Sequence, residues 1–258
     1  MKLNIAVELV YSFKEATQIL ACIEASRSTD QEILAEELKA TPSSKLFRDK
    51  DLAGDRRFRS EVNGQVTISY TATVENKLRQ LLPVQGRQMP WTELPEHTLP
   101  FLLPSRFCPS DIFQRFAQRE FANAGDGVAK VMAVLRWISE NVDYVHGVST
   151  PETTAERTFV DRAGVCRDFT HLGITLCRAL SIPARAVSAY ALGLEPPDFH
   201  AIFEVYLDGA WWLVDPTRLA PIEGIVRIGS GRDATDIAFL TTAKPCQMIR
   251  QSVQISAA

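Results

Sequence analysis

Cysteine and histidine are scarce in this chain: five and four respectively among 258 residues. The cysteines, at 22, 108, 166, 177 and 246, are odd in number, widely scattered and without a C-x-x-C pair. That pattern argues against a disulfide framework and a structural zinc site, and fits reduced thiols in a cytoplasm. No stretch approaches the ~18–20 apolar residues that a membrane-spanning helix needs. The N-terminus, Met1 to Val10, meets Asn4 and Glu8 before any continuous apolar run forms, so it reads as a strand and not as a secretory signal. Positive charge is not in excess either. With 28 Lys and Arg against 31 Asp and Glu, the formal net charge is −3, and the basic footprint of a nucleic-acid or anionic-membrane binder is missing. Gly229-Ser-Gly231 lacks the third glycine or the Lys-Ser/Thr of a phosphate loop and reads as a turn.

What the chain does have is apolar material, 46% of its residues, enough for a sizeable core in one large domain or two. Alternation marks Arg57–Val62, an Asn63-Gly64 turn, and Gln65–Val74, where Val66, Ile68, Tyr70, Ala72 and Val74 share one face and threonines and Ser69 the other. Residues 1–82 therefore read as an antiparallel β domain. Prolines at 83, 90, 95, 100, 104 and 109 then exclude a persistent helix or central strand, so 83–109 reads as a connection. Residues 110–258 read as a second, α+β unit. Its first helix is capped by Ser110 and runs to Phe121; a second amphipathic helix spans Val128–Asn141, with Val131, Val134, Leu135 and Ile138 on its buried face. Pro151–Asp161 is polar, either a substrate-lining stretch or a solvated approach to the next helix. Cys246–Ile255 reads as a closing strand.

The chemistry concentrates at Gly164-Val-Cys-Arg-Asp-Phe169. Phe169, Leu172, Leu176 and Leu180 recur at helical steps until Ile182-Pro183 ends the run, which leaves Cys166 at a helix N-terminus. There the unpaired N–H groups and the positive dipole end favour an anion, so a thiolate nucleophile is physically accessible; a small buried hydrophobe is the competing reading. A nucleophilic thiol needs a base, and the base an orienting partner. His171 lies five residues on and about 140° round the same helix, so its ring points elsewhere. His97 sits among the prolines and His146 in a loop. His200 begins an apolar strand that returns through Asp208-Gly209, a two-residue hairpin signal, into Ala210–Asp215. If Leu207 faces Ala210, Asp215 falls opposite Ile202, diagonal to His200 and ~7–8 Å from it between backbones. Asp215 could then steady the imidazole, or it could simply cap the Asp-Pro turn. The spacing leaves these two readings level.

Four stretches taken together, Gly164-Val-Cys-Arg-Asp-Phe169, Ile182-Pro-Ala-Arg-Ala-Val-Ser-Ala-Tyr190, Pro197-Asp-Phe-His-Ala201 and Trp212-Leu-Val-Asp-Pro-Thr-Arg218, closely resemble the bacterial branch of the transglutaminase-like superfamily, whose members are often described as cysteine proteases. The resemblance implies a transglutaminase-like or papain-like core, a catalytic helix packed on an antiparallel sheet, behind an N-terminal β-rich domain. It implies Cys166 as nucleophile, His200 as general base and acid, and Asp215 as orienting carboxylate. The expected activity is acyl transfer on amide bonds of peptide-like substrates through a thioester, as a peptidase or amidase. An amine-transferring transglutaminase, or a non-catalytic peptide-binding module, are the alternatives. The Cys166 N–H is the natural first donor to an oxyanion, with a side chain near Tyr144 as the second. Animal transglutaminases use calcium, but no Asp-x-Asp-x-Asp-Gly loop occurs here, so no metal or other cofactor is expected. Oligomeric state has no signature in the sequence.

Overall fold

In the computed structural model, the described residues are 1–50, 54–77 and 81–258. The chain opens with four strands: β1 (Lys2–Ala21), β2 (Gln31–Thr41), β3 (Phe47–Lys50) and β4 (Arg56–Asn76). After the proline-rich connection, which holds only short 3-10 turns, come α1 (Ser110–Glu120), α2 (Val128–Asn141), β5 (Asp143–Tyr144), α3 (Ala155–Asp161), β6 (Ala163–Gly164) and α4 (Cys166–Ala179). The remainder is β7 (Ala184–Ala191), β8 (Phe199–Leu207), β9 (Ala210–Val214), β10 (Ile225–Gly231), α5 (Ala234–Ile237), β11 (Leu240–Thr242) and β12 (Cys246–Ala257). The chain is thus α+β, with a strand-rich N-terminal region. No helix among the described residues is long and apolar enough to cross a membrane.

The first sheet has the strand order β11-β1-β4-β2, with β12 also on β1 and β3 also on β4. Along β1, Leu3, Ile5, Val7 and Leu9 are buried and alternate with Lys2, Asn4 and Glu8, the signature of an antiparallel sheet packed on one face. The expected hairpin turn at Asn63-Gly64 is instead an interior irregularity of β4. Gly64 adopts a positive φ of 65°, and the residues on both sides of it pair with the same strand, β1, across a register shift between Phe13 and Thr17. β4 therefore bends there without reversing.

The closing strand does not belong to the second unit. β12 pairs with Leu3–Phe13 and β11 with Ile19–Ala21, so the 20-residue β1 is covered along most of its outer edge by the end of the chain. A division into 1–82 and 110–258 therefore cuts through this sheet; an open edge that long would leave a row of unpaired backbone groups. The two sheets also share apolar contacts, because Tyr190, Val226 and Ile228 lie in the same buried cluster as Leu9, Ile68 and Tyr70. Tyr190 donates its hydroxyl hydrogen to the carbonyl of Ile23, and the Asn76 amide donates to the carbonyls of Glu223 and Ile225 at 2.9 and 2.8 Å.

The second sheet, order β10-β7-β8-β9, is antiparallel throughout, and α4 lies against it. From Asp168 onward α4 is buried on every side, enclosed by the sheet and by α1, α2 and α3. Gly173 permits the close approach: a Cβ there would sit 2.7 Å from the Phe203 ring. Gly229 serves a similar purpose inside β10, where a Cβ would come within 2.9 Å of the Cys22 sulfur; the Gly229-Ser-Gly231 segment is strand, not turn. One further local expectation shifts: Ser110 is the first residue of α1 and makes no side-chain cap. Within the polar stretch Pro151–Asp161, residues Ala155–Asp161 form a helix capped by Thr154, whose hydroxyl accepts from the Arg157 N–H at 3.4 Å.

Candidate active site

Cys166 is the first residue of α4, with Val165 extended before it as N-cap. Asp168, fully buried, fixes this entry by accepting the Val165 N–H at 2.9 Å, half of a capping box. Gly164 leaves it room, since a Cβ there would lie 2.7 Å from the Asp168 Cβ. The thiol itself is partly exposed and lines a cavity of about 340 Å³ that His200 also lines.

His200, 1% exposed, is the second residue of β8. The hairpin turns on Asp208 and Gly209, both at positive φ (54° and 86°), and pairs Leu207 with Ala210 and Phe203 with Val214. That register carries Asp215, just past β9, to the His200 ring: Nε2 and Asp215 Oδ2 are 2.9 Å apart. Nδ1, also buried, makes no hydrogen bond to any described residue. The carboxylate is held elsewhere as well. Its Oδ1 accepts from the Thr217 hydroxyl at 2.6 Å and the Thr217 N–H at 2.9 Å, and Oδ2 from the Ala220 N–H at 3.3 Å. Both readings of Asp215 are therefore realised at once, the turn on one oxygen and the imidazole on the other.

Burial opposes charging His200, but the hydrogen bond to Asp215 and that carboxylate's negative charge, together with the neighbouring Cys166, outweigh it and lift the ring to about 9. Burial likewise acts against an Asp215 anion, yet the His200 and Thr217 hydrogen bonds win and hold its pKa below the ordinary carboxylate value. The pair favours an imidazolium beside a carboxylate at neutral pH.

Tyr144 reaches the same place through a two-residue parallel pairing in which it stands beside Gly164. Its pKa is raised to about 12, by burial first and by the neighbouring Cys166 second, so the Tyr144 hydroxyl stands close to Cys166. The other three histidines are not drawn in. His97 lies edge-on to Tyr206 and His146 edge-on to Tyr144. His171, 1% exposed, is stacked flat on Phe107 at 5.1 Å, and its Nε2 accepts the Ala234 N–H at 3.1 Å. Burial pushes it down to about 4, so it is neutral at physiological pH. Sequence reasoning missed Thr217, although its position two residues after an Asp is the signature of a side-chain turn. It also missed the aromatic wall of the cavity, for which no local pattern exists. Among the described residues no group of three His, Cys, Asp or Glu side chains has the placement to hold a metal ion.

Residues 114–216 match the family described as the transglutaminase-like superfamily. A solved structure from Cytophaga hutchinsonii, provisionally named a cysteine protease, shares 39% identity, with 99% of this chain and 90% of that one covered at a TM-score of 0.93. An uncharacterized protein of Mycobacterium leprae is 26% identical over 233 residues, 83% of this chain and 81% of its own.

Proposed function

The chain belongs to the transglutaminase-like superfamily, and from that premise we propose that it is a cysteine-dependent peptidase or amidase acting through a thioester. What supports this above all is the 2.9 Å contact of His200 Nε2 with Asp215, which leaves the opposite ring nitrogen for the thiol of Cys166 at a helix N-terminus. A binding module would have no physical need for that alignment.

The thiolate of Cys166 adds to the amide carbonyl carbon, and the carbonyl oxygen takes the negative charge. The Cys166 N–H and the hydroxyl of the neighbouring Tyr144 are the donors to that oxyanion. His200 gives its proton to the departing nitrogen, the C–N bond breaks, and a thioester forms as the free amine leaves. The now neutral imidazole takes a proton from water, hydroxide attacks the thioester carbonyl, and the C–S bond breaks to give a carboxylic acid and Cys166. Asp215 stays ionised throughout and stabilises the imidazolium. The scattered cysteines support a reducing cytoplasm as the place of action.

Iodoacetamide tests this cheaply. At pH 6 it alkylates Cys166 well ahead of the exposed Cys246, and His200→Ala removes the difference. Equal rates at Cys166 and Cys246 in the unaltered protein would sink the proposal.

A further inference from the structure

Resting on the peptidase or amidase reading, we infer that the substrate carries a bulky, uncharged apolar group on the acyl side of the scissile amide, seated in the cavity beside Cys166. The walls of that cavity are Phe107, Pro151, Phe199, Ile237, Phe239 and Leu240. Phe199 and Phe239 form a rigid panel, stacked at 4.7 Å and 2° from parallel, and Phe107 is backed by the His171 ring. Among the described residues no carboxylate lines the space. Besides His200, the polar groups on its wall are the Ser188 hydroxyl, directed to the Gly229 carbonyl, and Arg167, whose Nη2 is directed to the Thr150 carbonyl and to Asp168 at 3.1 Å and whose Nε is buried without a partner. A charged or amide-bearing side chain entering here would lose its water and find little to replace it.

Room comes from small residues: Ala201, Ala234 and Ala238 stand where larger side chains would fill the cavity. Its volume, about 340 Å³, lies at the small end of ligand pockets, the scale of one large side chain and not of an extended ligand. Only the acyl half of a substrate stays bonded to sulfur after the amine departs. A pocket that touches Cys166 itself can hold that half through both steps, which is why the group is placed on the acyl side.

The N-terminal sheet acquires a purpose on this view. Phe239 and Leu240 lead into β11, and β11 is held by β1: Leu240 pairs with Ala21, and the Phe239 carbonyl accepts the Cys22 N–H at 3.1 Å. Part of the acyl pocket's wall is thus mounted on the β-rich region and part on the second sheet.

The test uses N-acetyl aminoacyl chloromethyl ketones, in which the Cys166 thiolate displaces chloride and forms a C–S bond, so that the acyl side chain is read without turnover. Each rate is divided by that of iodoacetamide on the same protein, which cancels changes in thiol reactivity. Phe and Leu reagents are expected to exceed the Gly reagent by ~10–200-fold, the worth of added hydrocarbon in an apolar pocket, and the Asp and Gln reagents to gain nothing. Ala238→Trp brings the Phe reagent down to the Gly level, with Ala238→Leu intermediate and each variant checked for a native circular dichroism spectrum. Normalised rates that are flat across the series, or highest for Asp or Gln, overturn the pocket assignment while leaving the acyl-transfer reading in place. Iodoacetamide labelling no faster at Cys166 than at Cys246 overturns both.

Discussion

Two imidazoles, one lining the cavity beside Cys166 and the other stacked behind its Phe107 wall, are each 1% exposed and end in opposite protonation states. His171 within α4 is pressed down to about 4, whereas His200 beside the thiol is lifted to about 9. Burial acts in the same direction on both rings. The difference lies in what each nitrogen meets: an amide N–H that needs a neutral acceptor at His171, and a carboxylate anchored by Thr217 at His200. Enclosure by itself makes a histidine inert; enclosure with an anchored anion makes it a stored acid.

The sharpest way to break the contrast is Asp215→Asn, which keeps the shape and removes the charge. The His200 pKa should fall toward the ordinary value or below it, and amide hydrolysis should drop roughly 10²–10⁴-fold, as for orienting carboxylates in other triads. The rate on a Phe amide and the alkaline limb of Cys166 alkylation measure the two effects. An unchanged rate would mean that Asp215 serves only its turn.

Stability against pH separates the rings from each other. A histidine lowered from 6.5 to about 4 contributes stability that is present above 6.5 and lost as pH falls through about 4; one raised to about 9 contributes stability that is present below 6.5 and lost as pH rises through about 9. Thermal stability should therefore peak near pH 6.5. His171→Phe is expected to flatten the acid decline, and Asp215→Asn the alkaline one. At pH 7, His171→Phe keeps the stack on Phe107 but orphans the Ala234 N–H, at ~1–3 kcal/mol. That is a fall of about 2–4 °C in Tm per kcal/mol, with iodoacetamide labelling of Cys166 undiminished.

This contrast was only half legible in the sequence. Helix α4 and the β8–β9 hairpin are local: apolar steps of three and four, and an Asp-Gly turn between alternating runs, fix which residues face each other within about 15 positions. Hence the His200–Asp215 contact could be counted from the turn. The two readings of Asp215 could not be separated by spacing because a carboxylate has two oxygens and satisfies both. The placement of Tyr144 beside Cys166 depends on a two-residue parallel pairing, and that of Phe239 on a strand held by residue 21; neither leaves a periodic trace. The same limit sent β12 to the wrong unit, since strand alternation says that a segment pairs but not with what. Asn63-Gly64 misled in the other direction, its strong turn chemistry being overridden by the pairing with β1 on both sides of it.

The finest adjustment of the contrast is Thr217→Val. It removes the 2.6 Å hydroxyl donor to Asp215 Oδ1 but leaves the backbone N–H at 2.9 Å and the His200 contact intact. One hydrogen bond to an anion fewer should let the Asp215 pKa rise toward its ordinary value. The cost, about 1.5–3 kcal/mol for a hydrogen bond to a charged group, corresponds at most to a roughly 10- to 150-fold slower reaction. The loss should appear in kcat with KM little changed, because Thr217 holds the carboxylate and does not line the acyl pocket. Thr217→Ser, which restores the hydroxyl, should recover most of the rate. If serine and valine behave alike, the threonine matters for its methyl packing, and Asp215 is kept in place by the backbone alone.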